Sequence, residues 1–186
     1  MNIRSGKAQK LEVTVTYLEM VQRPIMPTVR QPSVDQTVAL LLAEKPNVKF
    51  YRYLYETIGE AWLWYERREI TDSALESVLN SPLVEIYVLY VGGVPAGYAE
   101  LDRRQEGEIE LAYFGLMPEF IGLGFGAWLL DRILDTAWRH KPERVWLHTC
   151  TLDHPEALRL YQRAGFVPYS QETKYISDPR ESGLFP

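Results

Sequence analysis

Residues 11–20, LEVTVTYLEM, alternate apolar and polar positions with β-branched residues among them, which predicts a strand. The segment QRPIMPTVRQP that follows carries three prolines in eleven residues, so regular structure gives way to a loop. From Ser33 to Asn80 the pattern predicts two or three helices, broken near Lys45–Asn47 and again near Glu69–Thr71. Thr71 and Asp72 are candidate caps for SALESVLN. Beyond Pro82 the period changes to that of strands. VEIYVLYV, GYAELDR and IELAYFGLM predict a three-stranded meander, joined by GGVPAG and by the polar RQEGE. AWLLDRILDTAWRH then sets Leu130, Ile133, Leu134 and Ala137 on one helical face, with Asp131, Arg132, Asp135 and Arg139 mostly on the other. RVWLHTCT predicts another strand and PEALRLYQRAGF a short helix. Pro155 suits its first turn, Asp153 or His154 its cap, and Gly165 its left-handed stop. FVPYSQETKYIS is a closing strand and DPRESGLFP a tail.

Composition narrows the functional classes. The 186 residues suit one domain with a sizeable core, and 46% hydrophobic with 24% charged residues is the balance of a globular protein. No stretch approaches the roughly 20 apolar residues of a membrane span, and the first twenty residues lack the apolar centre of a signal peptide. The expectation is a cytoplasmic protein with no membrane partner. A formal charge of −5 argues against a nucleic-acid partner, which normally meets a basic surface. The single cysteine, Cys150, has no disulfide partner within the chain and reads as a packed thiol rather than a nucleophile. Three histidines and one cysteine without ligand spacing predict no metal site.

The chemistry concentrates in MPEFIGLGFGAWLL, where Gly122, Gly124 and Gly126 stand between a strand and a helix. That arrangement presents the unpaired N–H groups of a helix's first turn to an anion. A phosphate-binding loop of the P-loop type would need Lys and Ser or Thr after the last glycine, where Ala127 and Trp128 stand. A dinucleotide-binding fingerprint needs different glycine spacing and does not follow a meander.

The segment IGLGFG instead resembles the loop of the GNAT superfamily of N-acetyltransferases: Arg or Gln, two residues, Gly, one residue, Gly or Ala. Gly124 and Gly126 take the glycine positions, and Ile121 departs from Arg or Gln. HPEALRLYQRAGF is similar to that family's later segment, with Ala157, Leu160, Tyr161, Gly165 and Phe166 matching and His154 in place of Asn. The two motifs lie in the family's order, and residues 84–170 carry most of the likeness. TCTLDHPEALRLYQRAGF and FYRYLYETIGEAWLWYERR also resemble a bacterial subgroup of the family.

The resemblance implies an α/β fold: a mixed, mostly antiparallel central sheet with helices on both faces, splayed between its fourth and fifth strands. It implies one domain over 1–186, with acceptor-side helices at about 33–80 and an acetyl-CoA-binding core at about 84–177. The implied reaction is acetyl transfer from acetyl-CoA to an amine by direct attack. The loop Ile121, Gly122, Leu123, Gly124, Phe125, Gly126 and Ala127 would hold the pyrophosphate through main-chain N–H groups. Leu116 and Met117 would pair with the pantetheine arm, an N–H near Leu116 would serve the oxyanion, and His154 and Tyr161 would complete the co-substrate site.

Family members place a catalytic base eleven residues before the Arg/Gln position, which here is Glu110. A carboxylate inside an apolar strand is costly to bury without a task or a partner. Glu110 is therefore the candidate base, an edge carboxylate its alternative, and Glu108 and Glu100 the substitutes. Tyr161 is the candidate proton donor to the leaving thiolate, with a core tyrosine as its alternative. Seven aromatics between Phe50 and Tyr65 read mainly as core, with Trp64 and Tyr65 as candidate acceptor contacts. His148 reads as a packed or hydrogen-bonded residue. The acceptor, a small-molecule or protein amine, is not identified by these residues. Dimerisation is common in the family, and no residue here establishes it. The alternative function is a non-catalytic acetyl-CoA-binding sensor or interaction module of the same fold, which Ile121 would favour.

Overall fold

A computed structural model describes residues 10–185. In chain order its elements are β1 (Lys10–Met20), β2 (Val38–Leu42), α1 (Val48–Gly59), a 3-10 turn at Glu60–Trp62, α2 (Glu66–Glu69) and α3 (Asp72–Leu79). There follow β3 (Val84–Val91), β4 (Val94–Asp102), β5 (Glu108–Leu116), α4 (Phe125–Arg139), β6 (Arg144–Cys150), α5 (Ala157–Arg163) and β7 (Val167–Ser177). The seven strands form one sheet in the order β2-β3-β4-β5-β6-β1-β7. Every neighbouring pair is antiparallel except β5–β6.

The expected helix over 38–42 is instead the edge strand β2, paired antiparallel with β3 from Val38↔Val91 to Leu42↔Tyr87. A five-residue apolar run, VALLL, has no period that separates strand from helix. Lys45, ahead of Pro46, takes φ 51 and keeps this run from merging with α1, so pairing with β3 decides. The breaks near Lys45–Asn47 and Glu69–Thr71 fall where the sequence puts them, while Leu63, at φ 54, adds an unexpected one between the 3-10 turn and α2. Asn47 caps α1 by accepting the Phe50 N–H at 2.9 Å, and Thr71 caps α3 by accepting from Ala74. The helix expected from Pro155 begins two residues later, at Ala157. His154 holds the preceding turn, its carbonyl accepting the Ala157 N–H at 2.8 Å. Gly165 takes φ 102 and stops it.

The sheet separates two cores. On one face α4 buries Phe125, Leu129, Leu130, Ile133, Leu134 and Ala137 completely, against Leu89, Ala99, Leu101, Val145 and Leu147. Each large aliphatic side chain so buried contributes about 1.5–3 kcal/mol. On the other face α1 and α3 bring Tyr51, Leu54, Tyr55, Leu75 and Leu79 onto Ile86, Val88 and Tyr98. The proline-rich loop is strapped along α4: the Arg23 guanidinium bridges Asp131 and Asp135, and the Val29 N–H donates to Asp131 at 3.2 Å.

The expected splay lies between β5 and β6, the fourth and fifth strands expected from the sequence before β2 is added. They pair only over Glu108–Glu110 and Arg144–Trp146. Beyond that point β5 stays with β4, while β6 stays with β1 through Val15↔Cys150. In β5, Ala112 is an extra residue between the Leu101↔Leu111 and Glu100↔Tyr113 pairs. Such a bulge bends a strand and raises its twist, which turns β5 away from β6.

Under α1 lies a buried ion pair. Glu100 is fully buried and accepts from Arg67 Nη2 at 2.6 Å and from the Tyr51 hydroxyl at 2.5 Å. Burial pushes the Glu100 carboxyl above its ordinary range against the pull of Arg67 and Tyr51. The pair ties the segment after α1 to the centre of the sheet. Arg67→Ala leaves that carboxylate without its counter-charge and is expected to cost about 3–5 kcal/mol. Urea denaturation checks this, with the charge-free pair change Arg67→Met with Glu100→Gln expected to lose less.

Candidate active site

The parted strands open a cavity of about 690 Å³, lined by β1, Ile58 of α1, the 62–66 segment, β5, the glycine loop, the β6–α5 region and β7. Residues distant in sequence meet there. Glu110 comes from β5, Tyr161 from α5, and Gly122, Gly124 and Gly126 from the loop before α4. Leu116, Ile121, His154, Trp64 and Tyr65 line the same space, so most of the residues singled out in the sequence share one site.

The loop has the conformation an anion cradle needs. Gly122 and Gly124 take φ 82 and 86, in the left-handed region that side chains rarely adopt. Gly124 is the N-cap of α4 and offers no capping side chain. The first-turn N–H groups of a fifteen-residue helix are thereby left for a ligand. Leu123, Phe125 and Ala127 do not line the cavity: Leu123 is exposed, Phe125 is fully buried against the sheet, and Ala127 faces solvent. Any contact from Phe125 is restricted to the backbone.

Leu116 and Met117 differ in a way the sequence did not show. The Met117 N–H donates to the Ala96 carbonyl at 2.9 Å, its carbonyl accepts the Phe120 N–H at 2.9 Å, and its side chain is buried in the α1 core. Met117 therefore has no backbone donor for a pantetheine arm, which corrects that expectation. Its bond to Ala96 makes Gly97↔Leu116 a pair without mutual hydrogen bonds, so the Leu116 N–H and carbonyl point to the β6 side, into the gap.

Of the three candidate carboxylates only Glu110 reaches the cavity. Glu108 is paired with Arg144 at 2.8 Å and Glu100 lies beneath α1. Glu110 Oε1 is 3.5 Å from His148 Nδ1. This contact with Glu110, more than any other group, raises the His148 pKa above its ordinary value, against the opposing effect of burial. His148 thus stands beside the candidate base. The signal available in the sequence was its place in the alternation of RVWLHTCT, on the face that carries Trp146 and Cys150. Glu110 also borders a second cavity of about 270 Å³ with Asp102, Arg104, Gln105 and Trp146.

Tyr161 is buried between Phe114 and Phe166, with ring centroids 6.2 Å away in both cases. Burial pushes its phenol pKa up, so the group stays protonated and able to donate. His154 Nδ1 accepts the Glu156 N–H at 3.1 Å while its ring packs edge-on to Trp62 at 5.0 Å. Cys150 lines the cavity rather than packing in the core, and burial pushes its thiol up to about 11. A thiol so protonated is no nucleophile at neutral pH.

Several contributors were not singled out as site residues in the sequence, where Asp153 reads only as a candidate helix cap. Asp153 accepts from the Thr149 hydroxyl and the Cys150 N–H at 2.8 Å each, and from Trp64 Nε1 at 3.4 Å, fixing one tryptophan of the wall. Val13, Val15 and Tyr17 enter from β1, and Lys174 and Ile176 from β7. Among the described residues no cluster of His, Cys, Asp and Glu could hold a metal ion, and no helix is long and apolar enough to cross a membrane.

A family model described as the acetyltransferase (GNAT) family matches residues 46–166. The chain belongs to the GNAT acetyltransferase family. Uncharacterised N-acetyltransferases of Mycobacterium tuberculosis and Mycobacterium bovis are 30% identical to it over 97 residues, 52% of this chain. The alignment spans 62% of those relatives' length. Among solved structures, a conserved protein of unknown function from Staphylococcus epidermidis superposes with a TM-score of 0.65 at 17% identity, covering 91% of this chain and 63% of that one. The spermidine N-acetyltransferase of Vibrio cholerae, in complex with CoA and spermine, gives 0.59 at 20% identity, covering 76% of this chain and 95% of that one. These superpositions establish the GNAT fold for the mixed, splayed sheet.

In this GNAT protein, the His148 imidazolium beside the Glu110 carboxylate stabilises the fold fully below the ordinary histidine pKa of about 6.5. That contribution is lost as pH rises through the elevated value. Titration of His148 by NMR should give a midpoint above the ordinary value, and Glu110→Gln should move it downward. An unmoved midpoint would show that the two groups are not coupled.

Proposed function

We propose that this cavity binds acetyl-CoA and that the protein transfers its acetyl group to the amine of a small-molecule or protein acceptor. The observation that carries the reading is the meeting of Glu110, Tyr161 and the glycine loop in one cavity, although they come from β5, α5 and the turn between β5 and α4. The residues fit the co-substrate. Gly122 has open space where a side chain would begin, and the uncapped start of α4 suits a pyrophosphate. Leu116 turns its backbone groups into the gap beside β5, where an amide-bearing arm would pair.

Acetyl-CoA supplies an activated thioester; the chain supplies orientation and proton handling. Glu110, with His148 at its side, takes the proton that an ammonium acceptor must lose before it can attack. Tyr161, kept protonated by burial, donates to the departing thiolate. The Leu116 N–H serves the oxygen on which negative charge develops. Trp64 and Tyr65, with Trp62 and Tyr17 beside them in the lining, wall the acceptor with aromatic faces that favour a cation.

Calorimetric titration with acetyl-CoA and with CoA is the first test, and micromolar binding of both is expected. Glu110→Gln should lower turnover about 10²- to 10⁴-fold and leave acetyl-CoA binding intact. Unchanged kinetics would remove Glu110 from the base role.

Ile121, at the cavity wall where the family places Arg or Gln, favours a second reading: acetyl-CoA binding without transfer. Binding without turnover across a broad panel of amines would support that reading. In either case Ile121→Arg adds a charge-assisted donor at the loop and should tighten CoA binding by roughly three- to tenfold in the same titration.

A further inference from the structure

The wall of Trp64, Tyr65 and Glu66 lines the cavity between the 3-10 turn and α2, and it has little structure of its own. Helix α2 is a single turn, too short to persist without outside contacts. Leu63, just ahead of the wall, takes φ 54. Two consecutive arginines anchor the segment. Arg67 binds Glu100 beneath α1 at 2.6 Å. Arg68 binds the tail that follows β7: its Nη1 donates to the Leu184 carbonyl at 2.8 Å, and its guanidinium carbon stands 4.4 Å from the centroid of the Phe185 ring. Its Nη2 donates to the Glu56 carbonyl of α1 at 3.2 Å.

The tail starts from a different wall of the same cavity. Lys174 and Ile176 of β7 line that wall, and the strand ends at Ser177. Asp178 and Pro179 are buried, Arg180–Leu184 are exposed, and Gly183 at φ 74 redirects the chain. Phe185 is half-buried again where it meets Arg68.

We propose, resting on the acetyl-transfer reading of the cavity, that residues 183–185 latch the acceptor wall to the β7 side through Arg68, which makes Arg68 a positioning residue for Tyr65 and Glu66. The link from Arg68 to the wall is direct. Its N–H donates to the Tyr65 carbonyl at 2.8 Å, so a shift of the guanidinium passes to the backbone that carries both wall residues. The tail joins the half of the splayed sheet that ends in β7 to the half that carries α1 and α2. With the tail in place the two walls keep a fixed separation. With Phe185 displaced, the one-turn helix is free to move and the acceptor end widens. A carbonyl and one aromatic ring hold a guanidinium only modestly, which suits a latch that opens for the acceptor and closes behind it.

Hydrogen exchange of the full chain, read by mass spectrometry, tests the latch without an acceptor. Phe185→Ala and Arg68→Ala should each speed exchange over residues 62–69 about tenfold and leave the glycine loop and α4 unchanged. The double variant should exchange no faster than the faster single one, and Arg68→Lys, which keeps a cation and a donor, should restore most of the protection. Kinetics supplies the second readout, with whichever of benzylamine, 1,4-diaminobutane and a lysyl peptide the wild type acetylates fastest. Phe185→Ala should raise the KM for that amine about tenfold, hold kcat within about twofold and leave the acetyl-CoA Kd unchanged. Unchanged exchange over 62–69 in Phe185→Ala, additive effects of the two single changes, or a fall in kcat at constant KM would each overturn the proposal. A wild type that binds acetyl-CoA and acetylates none of the three amines would count against acetyl transfer, while the exchange result would still decide the latch.

Discussion

The molecule is organised around the point where β5 and β6 stop pairing. Two parallel strands normally gain a hydrogen bond with each further residue. Here they share three residue pairs and part beyond Glu110 and Trp146. Each strand keeps its other neighbour, so no backbone is left unsatisfied by the wedge except along its inner walls. Those inner walls are where the unused main-chain groups, the carboxylate of Glu110 and the ring of His148 are found together. The bulge at Ala112 supplies the bend, and the α1 and α4 cores pack on the two faces of the sheet.

The cavity therefore depends on residues beyond those given a part in proton transfer. The Arg67–Glu100 pair fixes the segment that carries Trp62, Trp64 and Tyr65, although neither residue lines the cavity. Asp153 holds Trp64 from the opposite side. Strand β1, drawn from the start of the chain, lies between β6 and β7 and provides Val13, Val15 and Tyr17 as a wall. The site is thus built by both halves of the chain, and the splay alone would leave it open toward β7.

Much of this was legible in the residues. The meander, the glycine turn, the α4 stripe and the β6–α5 order follow local periods that survive tertiary packing, because each element buries the face its pattern marks. Glu110 and Tyr161 were marked out only by the resemblance of the glycine loop and of the later LYQRAGF segment to the family's motifs, and both line the cavity. The edge strand β2 was not, since five apolar residues have no period of their own, and it forms only because β3 offers an edge. The Glu110–His148 contact was equally hidden, because it joins residues 38 positions apart on two different strands.

The sequence by itself determined which segments bury which faces, where the turn with positive φ must come, and which side chains could carry a proton. It did so because these properties are local: hydrophobic period, glycine freedom and side-chain chemistry act over a few residues. Only the tertiary structure decided that Glu110 and not Glu100 or Glu108 faces the cavity, that Met117 has no backbone donor to offer while Leu116 does, and that β1 closes the second half of the sheet. Those outcomes depend on strand register and on which neighbour takes each hydrogen bond. A shift of one residue reverses the face of every side chain, so no local signal can specify them.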